Sequence, residues 1–143
     1  MASVGQLLRG KGNEVWSVRP DTTVYDAIKV MAEKEIGALL VMEGERLAGI
    51  VSERDYARKV ILRGRSSKDT PVRDIMTERV LYVRPDQSVE ECMALMTAKR
   101  VRHLPVCEDN HVIGVVSIGD LVKSVISQQE FLIQQLENYI AGR

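Results

Sequence analysis

The sequence has little from which a metal site or a disulfide framework could be built. Cys92 and Cys107 are its only cysteines, no C-x-x-C occurs, and the two histidines form no H-x-x-x-H. That leaves no zinc ligand set and no metal is expected. Two unpatterned cysteines suit a reducing cytoplasm. Neither sign of charge is in excess, since 20 Lys and Arg balance 20 Asp and Glu. A chain without net charge lacks the electrostatic footprint of a nucleic-acid or anionic-membrane binder, and neither partner is expected. No apolar run approaches the ~18 residues of a membrane span. Met1–Gly12 has no hydrophobic signal core, so secretion is not expected. A glycine-rich phosphate loop is also missing. What remains is a globular composition, 45% apolar and 28% charged over 143 residues. A chain of this length buries about two-thirds of its unfolded surface and needs no staples.

The dominant feature is an internal repeat. A shift of 65 positions lays Val15–Ile61 over Val80–Ile126 without a gap, and 17 of the 47 pairs are identical. Ordinary residue usage predicts roughly three. Val-Arg-Pro-Asp at 18–21 returns at 83–86. Gly49-x-Val51-Ser52-x-x-Asp55 returns as Gly114-x-Val116-Ser117-x-x-Asp120.

Each copy implies the same elements. A short apolar strand (15–18, 80–83) runs into the Arg-Pro-Asp turn. Thr23-x-x-Asp26 and Ser88-x-x-Glu91 are capping boxes, the Asp variant being the weaker. Apolar residues then recur at i, i+3, i+4 and i+7, one face of a helix. Two apolar runs follow, 38–42 with 47–51 and 104–107 with 112–116, joined by polar links that predict hairpins. A second helix starts near Asp55 and near Asp120. The unit is β-α-β-β-α, with a parallel pair across the helix and an antiparallel hairpin. The expected fold is a mixed α/β (α+β) one, with the two units packed about a pseudo-twofold axis. Residues 1–65 form repeat one with an N-terminal helix, 66–126 form repeat two with a linker helix at 71–76, and 127–143 form a C-terminal helix capped at Ser127.

Two in-register copies ending in Gly-x-x-Ser-x-x-Asp, with Ile75-Met76-Thr77 before the second and His103-Leu104-Pro105-Val106 inside it, resemble a tandem pair of CBS (cystathionine β-synthase) domains, a Bateman module of the stand-alone type. The resemblance covers Val4 to Ile126. It implies a regulatory module that binds an adenosine-containing ligand in the clefts between the repeats: AMP foremost, with ADP, ATP, NAD or S-adenosylmethionine as alternatives. It also implies a homodimer, and a regulated enzyme or transporter that the sequence does not name.

Residue by residue, Asp55 and Asp120 have an ordinary role as helix caps. The resemblance adds a second role, a carboxylate accepting hydrogen bonds from both ribose hydroxyls. Ser52 and Arg54 precede the same helix, where backbone N–H groups and the dipole favour an anion; singly, each is more simply a strand end and a solvated charge. In the family, basic residues at the place of Arg102 and His103 reach the phosphate of a ligand whose ribose the other repeat holds. The resemblance thus assembles one site from Ser52, Arg54, Asp55, Arg102 and His103, with Val80, Leu81 and Pro105 flanking the adenine. The symmetric site, from Val15, Trp16, Ser117 and Asp120, is the weaker, because Gly37, Ala38 and Gly119 stand where the cations would be. The basic stretch from Arg54 to Lys68 reads first as a solvated face. Cys92 and Cys107 fall on faces expected to be buried and inert.

Three functions compete: a non-catalytic sensor of energy or redox state, a structural dimerisation module without ligand, and an enzyme acting on a nucleotide. Ser52, His103 and Asp55 are the only set resembling a nucleophilic triad. The repeated motif already accounts for two of them, so no catalytic residue is assigned.

Overall fold

A computed structural model describes residues 2–140 of the chain; the expected helical residues 141–143 lie outside them. In chain order the elements are α1 (Val4–Lys11), β1 (Ser17–Val18), α2 (Val24–Lys34), β2 (Ala38–Glu43), β3 (Arg46–Ser52), α3 (Glu53–Lys59), α4 (Val89–Lys99), β4 (His103–Glu108), β5 (His111–Ser117) and α5 (Ile118–Ile140). Single 3-10 turns cover Ile61–Arg63 and Val72–Asp74, the second being the expected linker helix in shorter form.

The residues form two compact units, Val15–Leu81, and Met1–Glu14 together with Tyr82–Arg143. The expected division after residue 65 does not describe them, because the segment before each repeat is bound to the other repeat. Val72 N–H donates to Thr22 O (2.8 Å) and Val24 N–H to Thr70 O (2.8 Å). Likewise Val4 N–H donates to Gln87 O (2.8 Å) and Val89 N–H to Ala2 O (3.0 Å). Each bond satisfies the first N–H of a helix or 3-10 turn, which has no internal partner, in α2 and α4 on one side and in α1 and the turn at Val72 on the other, and Val4 and Val72 are fully buried there.

In the Val15–Leu81 unit, β1 runs parallel to β2 and β2 antiparallel to β3. Helix α2 is capped by Thr23, whose hydroxyl accepts the Asp26 N–H. It buries Val24, Ala27 and Met31 against Leu39, Val41 and Val51 of the sheet. Burying one such side chain is worth about 1.5–3 kcal/mol. The hairpin turns at Gly44, whose φ of +60° suits glycine.

The second unit repeats the pattern with two departures. The expected strand 80–83 is reduced to one bridge, Val83 to Val106. In the first unit Leu40 N–H donates to Trp16 O (3.3 Å). The equivalent residue is Pro105, which has no N–H to offer a neighbouring strand. The β4–β5 hairpin turns at Asp109 and Asn110, both at positive φ (51° and 64°), as a two-residue type I′ turn requires.

The other departure is α5. The sequence reading starts a separate helix at Ser127, but α5 is continuous from Ile118 to Ile140. In repeat one the matching helix α3 ends at Lys59, and the 3-10 turn that follows it closes on Gly64 at φ +65°. The counterpart of Gly64 is Gln129, a good helix former, and α5 runs straight through it.

Candidate ligand-binding site

The repeated Gly-x-Val-Ser-x-x-Asp motif does the same structural work twice. A Cβ on Gly49 would stand 2.9 Å from Thr77 O and 2.7 Å from Met76 Sδ, and one on Gly114 would stand 2.8 Å from Leu8 Cδ2. Gly49 therefore lets the Met76–Thr77 segment cross its hairpin closely, and Gly114 does the same for α1.

The serines and aspartates cap the next helix. Ser52 Oγ accepts the Asp55 N–H (3.3 Å) and Asp55 Oδ2 accepts the Ser52 N–H (2.9 Å). Ser117 Oγ accepts the Asp120 N–H (3.2 Å) and Asp120 Oδ2 accepts the Ser117 N–H (2.8 Å). The cap locks both carboxylates in one orientation, while a carboxylate has about four acceptor sites and so keeps capacity for more.

Each carboxylate also holds a lysine. Lys59 Nζ lies 3.1 Å from Asp55 Oδ1 and donates to Ile75 O at 2.9 Å. Lys11 Nζ lies 2.6 Å from Asp120 Oδ2 and donates to Val115 O at 2.7 Å. The sequence reading missed both. Lys59 is four residues beyond Asp55 on one helix, a spacing that announces such a pair. Lys11 is 109 residues from Asp120, and no local signal points to it.

The expected site residues divide between the units. Val15, Trp16, Ser52, Arg54, Asp55, Val80 and Leu81 belong to one; Arg102, His103, Pro105, Ser117 and Asp120 belong to the other. In the first unit, Arg54 is exposed on α3, Val80 is half-buried and Leu81 is at the surface. Trp16 is partly exposed with Lys34 Nζ 4.2 Å from its ring centroid, a cation–π contact. In the second unit, Arg102 is exposed and its carbonyl accepts the Ile118 N–H (2.9 Å), while Pro105 is buried in β4.

His103 pairs with Ser117 across the β4–β5 ladder, which sets it in the same charge cluster as Asp120. Burial lowers the His103 pKa from its ordinary value, and the charges of Lys11 and Arg102 add to this against an opposing pull from Asp120. Burial by itself would raise the Asp120 carboxyl, but hydrogen bonds from Lys11 and Ser117, with the charge of Lys11, carry it below the usual carboxylate range.

The cysteines are poorly reactive. Burial pushes the Cys92 thiol up to about 11, aided by the charge of Glu91. Cys107 is half-buried rather than buried, and its pKa is also raised by desolvation. No helix among the described residues is long and apolar enough to cross a membrane.

Comparison with known proteins gives this geometry its context. The family model described as "CBS domain" matches residues 12–62 and 72–127, once on each repeat. The mitochondrial CBS domain-containing protein CBSX3 of Arabidopsis thaliana is 44% identical, over 98% of this chain and 72% of that protein. A solved structure of a CBS-domain protein from Burkholderia ambifaria MC40-6 is 58% identical, with a TM-score of 0.87 over 90% of this chain and 96% of its own. The CBS domain pair of protein MJ0100, solved with 5′-methylthioadenosine and S-adenosyl-L-methionine, shares the fold (TM-score 0.78, covering 90% of this chain and 98% of that one) at 20% identity. Two matched repeats, their paired Gly-x-Val-Ser-x-x-Asp motifs and the shared architecture establish that the chain belongs to the CBS domain family and carries the domain as a pair.

Proposed function

We propose that the chain is a non-catalytic regulatory module that binds an adenine nucleotide, AMP foremost, through its repeated carboxylates. The supporting observation is the shared geometry of Asp55 and Asp120, each fixed by a serine cap and held ready to accept further hydrogen bonds. A cis-diol fits a carboxylate of this kind, both hydroxyls donating to two oxygens. In this reading Asp55, Ser52 and Arg54 act with Arg102, His103, Val80, Leu81 and Pro105. Asp120 and Ser117 act with Val15 and Trp16 at a weaker site. The same ligand class, adenosine-containing molecules, is bound by the MJ0100 pair.

Ser52 Oγ is engaged with Asp55 on both its donor and acceptor sides. The repeated motif uses Ser52 and Ser117 alike as helix caps, a structural role present in both copies, which favours a sensor over an enzyme. The module acts as a homodimer in a reducing compartment, the cytoplasm, and relays ligand binding to a protein partner through a difference in affinity between two states.

Isothermal calorimetry with AMP, ATP, NAD and S-adenosylmethionine on wild type, Asp55→Ala and Arg102→Ala tests this. At least one ligand should bind, and each substitution should weaken it at least about tenfold, or 1.4 kcal/mol. Unchanged affinity in both variants removes the site assignment. Absence of binding by every ligand favours the structural dimerisation module, a reading supported by the exposed apolar side chains on α5.

A further inference from the structure

The Val15–Leu81 unit holds a cavity of about 700 Å³ at the turn end of its β2–β3 hairpin. That volume lies in the range of small-molecule pockets, about 300–1,000 Å³. Its walls are the Arg19-Pro20-Asp21 turn, the hairpin tip from Met42 to Gly44, and the segment 73–78, through Arg73, Met76 and Glu78. No residue of the nucleotide sites proposed above lines it. The walls are fixed by backbone bonds. Arg73 N–H donates to Pro20 O (3.1 Å), Thr77 N–H to Ile50 O (2.9 Å) and Ile50 N–H to Thr77 O (3.0 Å). A pocket built this way is preformed, so little ordering of the chain opposes binding.

The second repeat provides an internal comparison. Residues 72–78 correspond to residues 4–10. Val72 and Val4 are both fully buried, Arg73 and Gly5 both donate their N–H to a proline carbonyl, and Met76 and Leu8 both meet the motif glycine. In this alignment Gly5 stands opposite Arg73 and Gly10 opposite Glu78. The other charges of the cavity have local partners. Arg19 lies 3.4 Å from Asp21, a pair that recurs as Arg84 and Asp86 at 3.3 Å, and Glu43 lies 2.7 Å from Arg46. Arg73 and Glu78 differ: among the described residues neither side chain has a hydrogen-bond or ion-pair partner. The repeat architecture therefore uses neither charge, and both border one cavity.

We propose that this cavity binds a small zwitterion with an apolar side chain, the chemistry shared by α-amino acids and short peptides. The Arg73 guanidinium offers a planar fork to an α-carboxylate. The Glu78 carboxylate accepts hydrogen bonds from an α-ammonium. Met42 and Met76, both half-buried, supply thioether surface that adapts to aliphatic side chains of different shape. Charge selects the zwitterion over simpler ligands. An anion such as a nucleotide would meet the carboxylates of Asp21, Glu43 and Glu78 in the same walls, and a cation would meet Arg19 and Arg73.

Isothermal calorimetry on the full chain tests the proposal with leucine, methionine, the dipeptide leucyl-leucine, leucinamide and N-acetylleucine. At least one of the three zwitterions should bind with a dissociation constant below about 10 mM. Leucinamide lacks the carboxylate and N-acetylleucine the ammonium, so each should bind at least about tenfold more weakly. Arg73→Gln should remove the preference for leucine over leucinamide, and Glu78→Gln the preference over N-acetylleucine. Both side chains are exposed, so the two variants should keep the wild-type thermal midpoint. A dipeptide that outbinds both amino acids assigns the cavity to peptides, and the reverse order assigns it to free amino acids. Binding by none of the three zwitterions up to about 10 mM overturns the proposal. So does zwitterion binding that both variants leave unchanged, or that AMP displaces.

Discussion

Lys11, on the last turn of α1, places its ammonium 2.6 Å from the Asp120 carboxylate at the first turn of α5. The pair joins a segment that precedes repeat one to the motif that closes repeat two. It is half-buried, and the ammonium is also bound to Val115 O. Lys11→Met should therefore destabilise the chain by about 1 kcal/mol at neutral pH, near the top of the range for partly exposed pairs. The folded-state pKa of Asp120 is depressed. Its contribution is thus present above the unfolded value of about 3.9 and is lost as pH falls through the lower folded value. Urea unfolding from about pH 6 downward checks the sign: the difference between wild type and variant should be full at the first pH and shrink as the pH falls below the ordinary carboxylate value. A constant difference would show that the lysine acts through packing alone.

His103 responds to pH in the same direction but nearer neutrality. Its folded pKa lies below its ordinary value, chiefly through burial. A depressed folded pKa gives stability that is full above the unfolded value of about 6.5 and declines as pH falls through the folded one. Wild type should lose more stability between about pH 7 and about pH 5 than His103→Gln, which carries no titrating imidazole. Equal losses in the two proteins would place the effect elsewhere.

Much of this fold was legible in the sequence because the chain repeats itself. The 65-residue shift marks strands, helices and hairpins twice, so each copy checks the other. Boundaries were missed where equivalent residues differ in backbone chemistry: Pro105 for Leu40 removed a donor, and Gln129 for Gly64 removed a stop. The exchange of the leading segments was not legible, since Val4 and Val72 meet Gln87 and Thr22 through backbone groups that carry no side-chain signature. Of the candidate site, the sequence reads Asp55 and Asp120 as the helix caps, whereas the cap is Ser52 and Asp55 is its partner three residues on, with the same bonds between Ser117 and Asp120. The lysine on Asp120 was not legible, because its partner lies at the other end of the chain.

The two carboxylates should be unequal toward phosphate-bearing ligands. Arg54 follows Ser52, whereas Gly119 stands at the equivalent place before Asp120. Asp55→Ala should lower AMP affinity at least about tenfold, and Asp120→Ala should lower it less. Adenosine, which has no phosphate, should narrow the gap between the variants. Both substitutions remove the same half of a capping box, the carboxylate that accepts the serine N–H. Matched thermal midpoints in the two variants would therefore assign any affinity difference to the ligand. Calorimetric titration showing equal losses for AMP would remove the asymmetry.

The motif glycines give a final contrast within one repeat pair. At Gly49 an added Cβ meets a backbone oxygen, Thr77 O, at 2.9 Å, and that oxygen is anchored because Ile50 N–H donates to it at 3.0 Å. At Gly114 the obstruction is the methyl end of the Leu8 side chain, which another rotamer can withdraw. Gly49→Ala should thus cost about 2–3 kcal/mol, the upper part of the range for overpacking, and Gly114→Ala about 1 kcal/mol. Neither glycine takes a positive φ, so backbone strain does not enter the comparison. Denaturant midpoints for the two alanine variants test the ordering. A larger loss at Gly114 would mean that Leu8 is held more firmly than the Thr77 carbonyl.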